Sequence, residues 1–156
     1  QPMIRLESIL TPGRSLVNVP GGSKKKALEQ IANLIAREVP DLEMQDVFEA
    51  LIAREKLGST GLGHGIAVPH GRIKGLKEAK GAFVRLASPV PFESPDGQPV
   101  SLLFVLLVPE HATDQHLQIL SELAELFSDR ASRESLSVAT DADRVRQVFS
   151  SERMIA

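Results

Sequence analysis

Cysteine, tryptophan and tyrosine do not occur in this chain of 156 residues, and phenylalanine occurs only 6 times. Without cysteine there is no thiol nucleophile, no disulfide, no iron–sulfur cluster and no cysteine-based zinc site. With so few aromatics, base stacking and aromatic cages have almost nothing to work with. A dominant charge is missing as well. Lys+Arg number 18 against 20 Asp+Glu, a formal net charge of −2, which argues against a general nucleic-acid or membrane-surface binder. No apolar run reaches the roughly 18–20 residues of a membrane span, so no membrane insertion is expected. The opening Gln1-Pro2-Met3 has no signal-peptide character. What these absences leave is the expectation of a soluble cytoplasmic domain, 42% apolar and 24% charged. One domain over residues 1–156 is expected, with its core over about 6–149 and enough length to bury that core without staples.

Hydrophobic spacing supplies the elements. Ile4 to Leu10 suits a short helical turn, and Ser15 to Val19 an edge strand. Ser23 is placed to cap a helix whose apolar residues are Leu28, Ile31, Ala32, Ile35 and Val39, closed by Pro40. A second helix carries Met44, Val47, Phe48, Leu51 and Ile52 and ends near Gly58. These two helices are expected to pack as an antiparallel pair. Gly81 to Leu86 reads as a strand and Ser88 to Pro99 as turns. Val100 to Val108, apolar except for Ser101, reads as a central strand buried on both faces. Thr113 is the expected cap of a long helix with Leu117, Leu120, Leu123, Ala124 and Phe127 inward. Two short helices are expected around Ser132 to Val138 and Asp143 to Phe149. Helices, then strands, then helices make a sheet covered by helices the economical α/β fold.

Between Gly58 and Gly71 the character changes, and five of those 14 residues are glycine. The backbone there takes conformations or close approaches that a side chain would block. Neither the phosphate-loop pattern, nor the dinucleotide pattern, nor the hydrolase nucleophile elbow is present in the cluster. Pro69 should end the Ile66–Val68 run and leave His70 at a strand tip beside Gly71. That position suits an imidazole that a partner must approach closely. His116 falls in the first turn of the long helix, where free N–H groups favour an anion. Two readings of it stand, a phosphate ligand or a member of the capping network. His64 and His111 read as exposed loop residues. No histidine pair has helix-ligand spacing, so a metal site is not favoured. Arg54 is either a helix C-terminal charge or a phosphate clamp. The Lys24-Lys25-Lys26 run reads as a solvated helix start.

Arg-Glu-Lys-Leu-Gly-Ser-Thr-Gly-Leu-Gly-His-Gly-Ile-Ala-Val-Pro-His-Gly, residues Arg54 to Gly71, resembles the signature of the IIA proteins of the bacterial phosphotransferase system. The branch is the fructose, mannitol and nitrogen-regulatory one, and within it the nitrogen-regulatory members are most similar. The resemblance runs from about Leu6 to Phe149. It implies a mixed sheet of about five strands with helices on both faces. It implies that His70 accepts a phosphoryl group, that His116 stabilises it, and that Arg54, Ser59 and Thr60 lie at the phosphate. It implies a phosphotransferase component with a phosphohistidine intermediate, needing no metal and no cofactor. The donor it implies is an HPr-type carrier charged ultimately from phosphoenolpyruvate. Downstream partners would be regulated proteins, among them potassium-transport or sensor components. Two other uses stay open. One passes phosphate to a IIB domain for fructose- or mannitol-type uptake. The other is a non-catalytic regulatory binding module. At His64 many relatives carry asparagine.

Overall fold

The computed structural model describes residues 6–111 and 114–150. A 3-10 turn, Leu6–Ile9, leads into strand β1, Leu10–Val19. Helices α1, Lys24–Glu38, and α2, Met44–Lys56, follow. Three short strands come next: β2, Gly61–Gly63; β3, Ile66–Ala67; and β4, His70–Ile73. Two long strands, β5 over Lys80–Val90 and β6 over Val100–Pro109, precede helices α3, Asp114–Ser128, α4, Arg130–Val138, and α5, Ala142–Ser150. Thr113, the expected cap of α3, lies outside the described residues. Among the described residues no helix is long and apolar enough to cross a membrane.

Among the described residues the sheet is mixed and has six strands, where the resemblance implied about five. Its order is β1-β5-β6-β3-β2, with β4 also on β6. β1 runs parallel to β5, and β5 antiparallel to β6. β3 and β4 both run parallel to β6 in unbroken register, Ile66 opposite Leu102 and His70 opposite Leu106. They are one strand interrupted at Val68-Pro69. Proline has no N–H for the ladder, yet the Pro69 carbonyl still accepts from Leu106 N–H at 2.9 Å. His70 therefore opens a second strand segment instead of standing beyond the tip of the first.

β6 sits in the middle, and its alternation divides the core. Leu103, Val105 and Leu107 face α1 and α2, packing with Leu28, Ile31, Ile35, Val47 and Leu51. Leu102, Phe104, Leu106 and Val108 face α3, α4 and α5. There Phe149 of α5 meets the rings of Phe83, Phe104 and Phe127 at centroid separations of 5.8, 5.2 and 6.1 Å. One largely apolar strand thus supplies two cores because side chains alternate across it.

Ser23 caps α1 through its hydroxyl, which accepts from Lys26 N–H at 3.1 Å. Pro12 is accommodated in β1 by a register shift between Leu10 and Ser15. β5 continues through Pro89 to Val90 instead of stopping at Leu86. β1 pairs it only as far as Leu86, so a residue without an N–H is tolerated on the bare edge beyond. The face of α3 is rotated from the expected one. Ile119, Glu122, Leu123, Leu126 and Phe127 are buried, while Ala124 is exposed and Leu117 is 52% exposed. Burial pushes the Glu122 carboxyl above its ordinary value, helped by the nearby charge of Glu125.

Candidate functional site

A cleft of about 480 Å³ opens between α2, β4 and the start of α3, and it gathers Arg54, His70 and His116. Each arrives from a different element. Arg54 comes from the last turn of α2, His70 from the first position of β4, and His116 from the first turn of α3. Ala50, Ala53, Leu57, Val108, Leu117 and Leu120 make most of the remaining wall. Leu57 is 84% exposed, so the rim offers apolar surface as well as charge.

His70 is half-buried. Its Nδ1 lies 2.9 Å from the carbonyl oxygen of Val68. A carbonyl only accepts, so Nδ1 carries the proton and donates it. In the neutral ring Nε2 is then the nitrogen with the lone pair. The break in the strand makes this possible. With Pro69 turning the chain, the Val68 carbonyl meets a side chain two residues on.

Gly71 follows for a packing reason. A Cβ there would stand 2.9 Å from Ala50 Cβ and 3.2 Å from the Ala50 carbonyl carbon and oxygen. Glycine at this position lets β4 lie directly against α2, which carries Arg54. The close approach expected of the glycine run is, at Gly71, an internal one. Gly63, His64 and Gly65 form the turn between β2 and β3, all with positive φ, His64 at 56°. Asparagine is among the few residues other than glycine that take this conformation readily. His64 is exposed and does not line the cleft. Its N–H donates to Asp96 Oδ2 at 2.9 Å. That bond and one from Gln98 N–H hold the Asp96 carboxyl below its ordinary value. His111 is exposed on the loop after β6.

Ser59 and Thr60 stand apart from the cleft lining. The Ser59 hydroxyl donates to the Phe92 carbonyl and accepts from Gly61 N–H at 3.0 Å. The Thr60 hydroxyl donates to the buried Glu55 carboxylate, which also accepts from Thr60 N–H at 3.3 Å. Lys24 completes that cluster, its Nζ 2.8 Å from Glu55 and 4.8 Å from the Phe92 ring centroid. Neither side chain lines the cleft, and both hydroxyls are engaged within the protein. Their hydroxyls tie the α2–β2 loop to α2 and to the loop after β5. Lys24, read as solvated, is a structural partner of Glu55.

Arg72 is the cleft residue that the sequence reading missed. It sits two positions after His70 on β4, and alternation puts both on one face. Arg72 Nη1 donates to the Glu110 carbonyl at 3.2 Å, and Arg54 Nη1 to the Gly58 carbonyl at 2.8 Å. Two guanidinium groups thus enter the cleft from opposite elements, each steadied by a backbone oxygen. Together with an imidazole whose lone pair sits on Nε2, they form a site suited to a transferable oxyanion. Among the described residues, no three His, Asp or Glu side chains converge to hold a metal ion.

Residues 8–152 match the family described as phosphoenolpyruvate-dependent sugar phosphotransferase system, EIIA 2. A nitrogen regulatory protein of Pseudomonas aeruginosa is 57% identical over 146 residues, 94% of this chain and 95% of that protein. The crystal structure of nitrogen regulatory protein IIA-Ntr from Neisseria meningitidis superposes with a TM-score of 0.87 at 51% identity, covering 92% of this chain and 98% of that one. Mannitol IIA from Escherichia coli shares the fold, with a TM-score of 0.73 at 23% identity over 89% of this chain and 97% of its own.

Proposed function

The chain belongs to the phosphoenolpyruvate-dependent sugar phosphotransferase system EIIA 2 family, and from that membership we propose that it is a histidine phosphocarrier with His70 as acceptor. The observation that carries the reading is the Nδ1 to Val68 oxygen contact of 2.9 Å. It fixes the tautomer in which Nε2 attacks. The Nε2 lone pair forms the new N–P bond while the N–P bond to the donor's phosphohistidine breaks. The leaving pair returns to the donor imidazole, and the proton stays on Nδ1, hydrogen-bonded to the Val68 carbonyl. Phosphoryl transfer requires in-line placement and charge stabilisation on the equatorial oxygens. Arg54 and Arg72 supply positive charge to those oxygens, and His116 a ring nitrogen beside them.

The donor on this reading is an HPr-type carrier charged from phosphoenolpyruvate, and the exchange takes place in the cytoplasm. The exposed Leu57 and Leu117 at the rim offer it an apolar seat. Two proteins must bring their imidazoles together, which an open cleft allows. The 57% identity to a nitrogen regulatory protein favours a regulatory output over sugar uptake. In that role the phosphorylation state of His70 controls other proteins, potassium-transport or sensor components among them.

The test is incubation with enzyme I, the carrier and phosphoenolpyruvate, followed by intact mass and peptide mapping. A gain of one phosphoryl group on His70, lost in His70→Ala, is expected. No gain, or a gain that survives His70→Ala, overturns the proposal.

A further inference from the structure

A second cleft, of about 440 Å³, lies on the other side of His116, which lines both. Its walls come from the start of β1, from the segment before β5 and from α3. Three cationic side chains face it, Arg14, Lys77 and Lys80, against the single carboxylate of Glu78. In a chain of net charge −2 this is a local reversal of sign.

Two features of the wall are unusual for a merely solvated groove. Arg14 is only 6% exposed, and its direct partners are neutral carbonyl oxygens, Gly81 at 2.8 Å and Ile9 at 3.1 Å. Buried charges are ordinarily paired; here the charge of Glu38 acts on the guanidinium from nearby, but among the described residues no carboxylate is hydrogen-bonded to it. Thr11 also lines the cleft, and its hydroxyl oxygen is buried without a hydrogen-bond partner among the described residues. A hydroxyl in that state is rare. Both are answered by the same kind of guest, one that brings negative charge and accepts hydrogen bonds.

We propose that this second cleft, walled by Thr11, Arg14, Lys77, Lys80 and His116, binds a small oxyanion. A phosphate group and a carboxylate share the required chemistry. The ammonium groups of Lys77 and Lys80 act as point charges and serve either. Because His116 borders both clefts, an occupant here changes the setting of the group beside His70. The coupling rests on the phosphocarrier reading, whereas the binding does not.

The experiment is a titration of the full chain with inorganic phosphate and, separately, with succinate, at constant ionic strength. It is followed by backbone amide NMR, which reads each site independently. Saturable shifts clustered at Ile9–Thr11 and Ala79–Gly81 are expected, and the arm that saturates first identifies the source. They should persist in His70→Ala, which removes the carrier function but not the cleft. Lys77→Gln/Lys80→Gln should raise the half-saturation concentration about tenfold, the scale of one charge-assisted hydrogen bond. Absence of saturable shifts there, or shifts confined to Arg54 and Gly71, overturns the proposal. Retained affinity in the double variant, with its amide spectrum otherwise unchanged, overturns it as well.

Discussion

His70 and Arg72 stand on the same face of β4, separated by a glycine that presses the strand against α2. Imidazole and guanidinium are therefore fixed to one short rigid element, and their separation does not depend on a loop. Arg54 reaches the same cleft from the opposite wall. Either guanidinium can meet charge that grows during transfer. Arg54→Gln and Arg72→Gln should each slow phosphorylation on the order of tenfold to a hundredfold. The double variant should be slower than either. Rapid-quench rates with a phosphorylated donor are the measurement, and rates within twofold of the parent in both single variants would remove the arginines from the mechanism.

The tautomer makes a prediction about connectivity. With the Nδ1 proton held by the Val68 carbonyl, the phosphoryl group should reside on Nε2. Long-range proton–nitrogen correlation in the phosphorylated protein distinguishes the two ring nitrogens. Phosphate on Nδ1 contradicts the assignment.

His116 invites a test that separates its two roles. If it stabilises transferred charge, His116→Ala should lower the transfer rate by at least about tenfold with a near-parental urea midpoint. If it serves only to start α3, the midpoint falls and the rate per folded molecule is unchanged.

Gly71→Ala adds one methyl group where Ala50 already stands at 2.9 Å. Overpacking of this kind costs about 1–3 kcal/mol, measurable by urea denaturation. The substitution should also slow transfer, because the added methyl pushes apart the strand bearing His70 and the helix bearing Arg54.

Glu122 gives a pH dependence. Its folded-state carboxyl is raised above its ordinary value by burial. A group so raised lends stability below its unfolded value and loses it as pH rises through the folded one. At neutral pH the ionised form is therefore a burden. Glu122→Gln should raise the melting temperature at pH 7. The advantage should shrink as pH falls through the raised value and level off below the ordinary carboxylate range.

Much of this architecture can be read from residue spacing, because local rules and burial agree along most of the chain. The β6 run, the Ser23 cap and the apolar faces of α1 and α2 are where the pattern puts them. The rotation of α3 was hidden because Leu117 and Ala124 fit a helical stripe as well as Ile119 and Leu126 do. Only packing against Phe104 and Phe149 selects between them. Within the cleft, His70 could be singled out from Pro69 and Gly71. Arg72 could have been found by the two-residue alternation of a strand, but His70 was expected to stand past a strand's end instead of beginning one. The roles of Ser59 and Thr60 were not legible, since their partners Phe92 and Glu55 are known only once the loop is folded.

On the phosphocarrier reading, the interruption at Val68-Pro69 has a consequence for a group that is charged and discharged repeatedly. The oxygen that selects the tautomer is two residues from the ring it serves. Almost no chain closure separates them, so the preference survives fraying of α3 or departure of a docked protein. Each time the phosphoryl group leaves, the ring returns to the same starting state without waiting for a distant contact to re-form. Readiness for the next cycle is encoded in three consecutive residues.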